Sequence, residues 1–213
     1  ISDMDLNLEN IYNSICKINR FRQGVDTESK EFIKMHTKIN RYGIAEVSFD
    51  NFKNLIQIIQ QRVIEFFCIN LTEKDHIRSQ NKIGTVILLL EEKGFINFAG
   101  CNFIIKDDKL YIARANHKYK TGMVCDLESA VVWNSSMVIK SRYKRLHVQS
   151  VQNMIESGMV KKRDLEHINI KSSSIRKSMP CFYTESSKGI HLKSIDDKMI
   201  NVSTRIFDNF QEK

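Results

Sequence analysis

The 213-residue sequence contains one proline, one tryptophan and eight scattered glycines. It therefore has no G-x-G-x-x-G, no G-x-x-x-x-G-K-S and no S-G-G-x-D-S, the loops whose backbone amides cradle nucleotide phosphates. Proline- or glycine-rich linkers are missing too, so its parts are expected to pack together. No apolar run approaches the roughly 20 residues of a membrane span, with "IGTVILLL" among the longest. The start, "ISDMDLNLEN", is acidic and polar where a secretion signal is basic and then apolar. The reading is a cytoplasmic protein with no membrane partner, and the lack of an initial methionine suggests a larger protein that was cut or trimmed. Cys16, Cys68, Cys101, Cys125 and Cys181 lie far apart without a C-x-x-C, and the six histidines show no H-x-x-x-H. That pattern excludes the usual zinc sites and a secreted disulfide framework, leaving reduced thiols that act as small buried hydrophobes.

Positive charge is present, and it is concentrated. The net charge is +8, and residues 138–177 alone hold ten basic and three acidic residues, or +7. A field placed this way favours a polyanion, most simply nucleic acid. "KSRYKR" supplies Lys140, Arg142, Lys144 and Arg145 around Tyr143, and alternate cations would share one face if a strand continued through them. "KKR" supplies Lys161, Lys162 and Arg163, and "KSSSIRK" supplies Lys171, Arg176 and Lys177 together with hydroxyls able to reach phosphate. These ten cations are the candidate nucleic-acid-binding residues. Trp133 reads as a core plug at a strand end, although indoles and phenols such as Tyr143 can also stack on bases.

The periodicity predicts an α+β fold, with a helical module over residues 1–97 and a small basic α+β module with β-hairpins over 98–213. Leu8, Ile11, Tyr12, Ile15 and Ile18 share a helical face, and Phe32, Met35, His36, Ile39 and Tyr42 continue it in a second segment. Ser48 is placed to cap a long helix reaching Asn70, and Thr72 with Asp75 to open another that ends at Lys93-Gly94. From Phe98 the period falls to two. "CNFIIK" and "KLYIAR" flank Asp107-Asp108 as a hairpin, and "AVVW" and "MVIKS" flank residues 134–136 as another. A short helix, "VQSVQNMIES", stops at Gly158, and three strand candidates follow in "CFYT", "IHLK" and "MINVSTRIF". The acidic pairs Glu91-Glu92, Asp107-Asp108 and Asp196-Asp197 sit at predicted turns or helix ends, where carboxylates serve local backbone needs.

The order of short motifs resembles a known family. "NRFRQGVD", "RYGIAEVSFDNF", "QQRVIEFF", "FAGCNFIIKDDKLYIAR" and "VVWNSSMVIK" are similar to the region that follows the catalytic domain in bacterial tRNA(Ile)-lysidine synthetases, most of all the alphaproteobacterial form. The matching positions are Arg20 and Arg22, Tyr42-Gly43-Ile44-Ala45, Gln61-Arg62, Ala99-Gly100-Cys101, Leu110-Tyr111-Ile112-Ala113-Arg114 and Trp133 through Met137. Asn134 and Ser136 depart from the family's acidic and basic members of "W-D-G-R-F". The likeness spans most of residues 15–140 and thins beyond.

The resemblance implies a tRNA-binding part of an ATP-dependent ligase, which joins lysine to the wobble cytidine of an isoleucine tRNA through an adenylated base. ATP and Mg²⁺ are then expected in a PP-loop catalytic domain, joined in cis or supplied in trans, with no cofactor and no catalytic residue in this chain. The implied partners are tRNA and that domain, and a homodimer is possible. Two rival readings are a stand-alone nucleic-acid-binding regulator using the helices of residues 48–93, and a small nuclease using scattered carboxylates.

Overall fold

The structure, a computed structural model, describes residues 8–72, 77, 82–115, 122–133, 137–161, 173–187 and 189–204. The fold is α+β: a long N-terminal helix followed by antiparallel sheets. The two helical stretches expected within residues 8–42 are one 29-residue helix, α1 (Leu8–His36), with Lys34 and His36 at the carbonyl end, where positive charge suits the dipole. The expected continuation is instead a strand at Ile39 and a turn at Tyr42. Strand β1 (Thr37–Ile39) turns back through Gly43, which has φ 71°, into β2 (Ala45–Ser48). Asn40 builds that turn, its side-chain oxygen accepting from the backbone N–H groups of Tyr42 and Ile44.

Ser48 is an N-cap as expected, but it caps a short helix, α2 (Phe49–Lys53), and α3 (Gln57–Thr72) begins anew after three intervening residues. The break is stabilised from within. The Gln60 amide donates to the carbonyls of Phe52 and Lys53, which occupies acceptors a continuous helix would have used itself. Thr72 closes α3, its hydroxyl donating to Cys68 O, whereas its expected partner Asp75 lies outside the described residues. Helix α4 (Ile83–Lys93) ends at Gly94 in the left-handed conformation, as the sequence predicts.

Strands β3 (Phe95–Phe98), β4 (Cys101–Lys106) and β5 (Lys109–Arg114) complete a five-stranded antiparallel sheet in the order β1-β2-β5-β4-β3. The boundary expected near residue 97 therefore falls inside a strand. Ala45 pairs with Ile112 and Val47 with Leu110, which ties residues from the expected helical span into the β region. One face of this sheet meets α1, α2, α3 and α4 over the largest core, where Phe52, Phe67, Phe103 and Leu110 are fully buried. Its other face contributes Ile44, Ile104 and Ala113 to a second cluster.

That second cluster is closed by α5 (Val151–Glu156), α6 (Ser173–Ser178) and the residues Cys181 and Tyr183 of β10 (Pro180–Ser186). Strand β10 sits in a sheet ordered β11-β10-β9-β6, with β6 (Met123–Asp126), β9 (Arg145–Ser150) and β11 (Gly189–Lys193). A three-stranded sheet, β12-β8-β7, comprises β7 (Ala130–Trp133), β8 (Met137–Ser141) and β12 (Ile200–Thr204). These two sheets enclose a third core of Cys125, Trp133, Met137, Ile139, Leu146, Val148 and Phe182. Residues 148–150, expected at the start of a helix, are the end of β9, and Ser150 caps α5 by accepting from Asn153 N.

Candidate nucleic-acid interface

"KSRYKR" does not run on as one strand. Lys140 is on β8, Arg142 to Lys144 make the corner between the two sheets, and Arg145 opens β9. The face shared by alternate cations is thus replaced by a bend. Its cause lies in the flanking residues: Ile139 and Leu146 are both fully buried in the same core from opposite sheets, so the chain between them has to cross from one sheet to the other. Arg142 N donates to Met199 O, and Tyr143 N donates to the Ser141 hydroxyl, which fixes the corner against the segment leading into β12.

Tyr143 anchors this bend. Its hydroxyl donates to Asp197 at 2.6 Å, and the Lys193 ammonium lies 4.8 Å from its ring centroid. The bond to Asp197 holds the phenol above its ordinary range, with burial adding to the effect. In turn, accepting from Tyr143 and from the Met199 amide holds the Asp197 carboxyl below its usual range. One ring face of Tyr143 is therefore occupied by a cation of the chain itself. Its observed role is to fix the corner, and base stacking on that face would require Lys193 to move.

Lys140, Arg142, Lys144 and Arg145 are exposed. Among the described residues none of the four forms an ion pair. An open groove of about 630 Å³ lies beside them, lined by Val124, Asp126, Tyr143, Lys144, Arg145, Thr184 and Glu185. Its mixed lining has two cations and two carboxylates, and next to it His147 stacks on Tyr183 with centroids 4.8 Å apart. Sequence reasoning missed Asp126 and Glu185, because strand pairing alone brings them near Arg145. Asp126 is the register partner of Arg145 across β6 and β9.

The remaining candidates divide. Arg176 and Lys177 are on α6, and Lys161 follows α5. Lys162, Arg163 and Lys171 lie outside the described residues, as do Asn134 and Ser136. Arg176 Nε donates to Gln152 on α5, so that side chain helps join the two short helices. Because α5 starts where β9 ends, Arg176, bonded to Gln152 on α5, and the corner residue Arg145 belong to opposite ends of that six-residue strand, which is roughly 20 Å long. Among the described residues the basic segment thus presents two cation groups.

Trp133 is fully buried, its indole N–H donating to Ser178 O at 2.8 Å, which makes it the core plug and takes it away from any nucleic acid. Cys68, Cys101, Cys125 and Cys181 are buried, and none of the five cysteines forms a disulfide. His36 sits against Phe32 and bonds Asn51 Nδ2 at 2.9 Å, a structural arrangement. No group of three or more metal-ligating side chains occurs among the described residues. No helix among them is long and apolar enough to cross a membrane.

The motif residues of the family resemblance are spread through the fold. Arg20 and Arg22 are exposed on α1, Tyr42 to Ile44 lie between β1 and β2, and Ala45 opens β2. Arg62 pairs with Asp26 of α1 at 3.3 Å and Glu65 at 2.7 Å, which fastens α3 to α1. Ala99-Gly100 forms the β3–β4 turn and residues 110–114 form β5. Neither a scan against protein-family models nor a search of the curated proteins finds a match to this chain.

Proposed function

We propose that this chain is the tRNA-holding part of a tRNA(Ile)-lysidine synthetase, acting with a PP-loop catalytic domain that binds ATP and Mg²⁺. The observation that carries the nucleic-acid reading is the β8–β9 corner, where four exposed cations lie within six residues and form no ion pair among the described residues. Solvated cations release condensed counterions when they meet phosphates, which gives affinity without sequence readout. The order and spacing of the motifs from Arg20 to Met137 support the choice of family. A ligase that acts on one anticodon base has to grip folded RNA away from that base, and RNA shape is read through phosphate and ribose contacts spread over such distances.

The regulator reading needs a helix with a face free for the major groove. Helix α3 has no exposed residue from Ile59 to Thr72, and α4 exposes Thr85, Leu88, Glu91, Glu92 and Lys93, two carboxylates to one cation where phosphate calls for positive charge.

Binding of folded isoleucine tRNA, with duplex DNA as competitor, tests the proposal. Preference for tRNA, weakened by Lys161→Ala/Lys162→Ala/Arg163→Ala and by Arg142→Ala/Lys144→Ala/Arg145→Ala, is the expected result. Preference for duplex DNA, or metal-dependent cleavage by the chain alone, would overturn it.

A further inference from the structure

A heptad pattern runs the length of α1. Leu8, Ile11, Ile15 and Ile18 alternate by three and four residues, and the same register continues through Arg22, Val25, Ser29 and Phe32. The two halves of this seam are treated differently by the fold. Val25, Ser29 and Phe32 are 5–6% exposed, covered by the chain's own core, with Arg62 of α3 paired to Asp26 alongside. By contrast Leu8 is 77% exposed, Ile11 40%, Ile15 51% and Ile18 57%, with flanking Tyr12 at 66% and Phe21 at 58%.

Residues 8–24 span roughly 25 Å of helix. Scattered apolar residues on a surface are ordinary, but six along one face form a patch of the kind that marks an interaction site. A water-facing helix would instead carry polar residues there.

We propose that the N-terminal half of α1 is the interface of an antiparallel homodimer, in which the seam packs against the same seam of a second copy. The covered half already packs in this register, and the exposed half continues it without a change of phase. In an antiparallel pair Leu8 faces the second copy's Ile18 and Ile11 faces its Ile15, giving four wholly apolar layers related by a two-fold axis. The six exposed side chains amount to on the order of 500 Å² per chain, so the pair removes on the order of 1,000 Å², the lower range for a specific interface.

Charge selects the direction. Glu9 marks one end of the stripe, and Lys17, Arg20 and Arg22 the other. An antiparallel pair sets each end beside its opposite. A parallel pair would place Arg22 on Arg22 within the seam, where two like charges lose hydration and repel.

The test uses the full chain. Sedimentation equilibrium across micromolar concentrations is expected to show a monomer–dimer equilibrium. Ile11→Glu/Ile15→Glu/Ile18→Glu is expected to give a monomer that keeps the cooperative unfolding transition of the parent, because those side chains lie outside its cores. For direction, a spin label at Gln23→Cys in a Cys16→Ser background is expected to report a separation of roughly 30 Å along the axis. A parent that stays monomeric, or a triple variant that still dimerises, would overturn the proposal. Labels found side by side would overturn the antiparallel arrangement. Binding of tRNA is read separately, so failure of the dimer and failure of the nucleic-acid reading remain distinguishable.

Discussion

Two residues show how burial sets chemistry in this chain. Cys181 lies against the α5/α6 cluster, and burial pushes its thiol up from 9.0 to about 11. The folded state therefore disfavours the thiolate: its contribution is intact below pH 9 and is lost as pH rises toward 11, a swing of roughly 2–3 kcal/mol. Urea melts across that window should show stability falling with pH, and Cys181→Ala should flatten part of the slope. At Gly24 the chain spends backbone entropy for no packing reason, since an added Cβ would meet nothing within 4 Å. Gly24→Ala is expected to stabilise α1 by about 0.5–1 kcal/mol, read as a higher midpoint of thermal unfolding. The sequence reveals the thiols as structural, and Trp133 as a plug, because their chemistry lacks neighbours that would activate it. The partner of the Trp133 indole, Ser178 O, was hidden because 45 residues separate the two in the chain.

Hairpins and helices differ in how local their causes are. The β4–β5 hairpin was legible because Asp107 and Asp108 are themselves the turn, at φ 50° and 57°, flanked by alternating apolar residues. Left-handed backbone strains any side chain. Asp107→Asn/Asp108→Gly is therefore expected to stabilise the protein by about 0.5–1 kcal/mol, and Asp108→Val to destabilise it by about 1–2 kcal/mol, both measurable by denaturant titration. The break between α2 and α3 was not legible, since it depends on Gln60 folding back onto two carbonyls, and glutamine is an ordinary helix residue by propensity. Strands β1 and β2 escaped for a related reason. They are three and four residues long, β1 pairs only with β2, and β2 is held by β5, a segment more than 60 residues away.

At the scale of the whole molecule, the charge asymmetry was visible in the sequence and its shape was not. Residues 138–177 carry a net +7, yet among the described residues β9 separates a corner group of cations from an α5/α6 group, with Asp126 and Glu185 brought in beside the first. Two cation groups separated by a strand roughly 20 Å long suit a folded RNA better than a point anion, because each can meet a separate stretch of backbone. The nucleic-acid reading predicts a graded electrostatic response. Each cation removed from a phosphate should shallow the dependence of log K on log salt by about one unit, with little change in sequence preference. The most direct test is the salt dependence of tRNA binding by the parent and by Arg142→Ala/Lys144→Ala/Arg145→Ala. A steep parent slope that falls by about two to three units in the variant is the predicted result; equal slopes, or binding insensitive to salt, would contradict it.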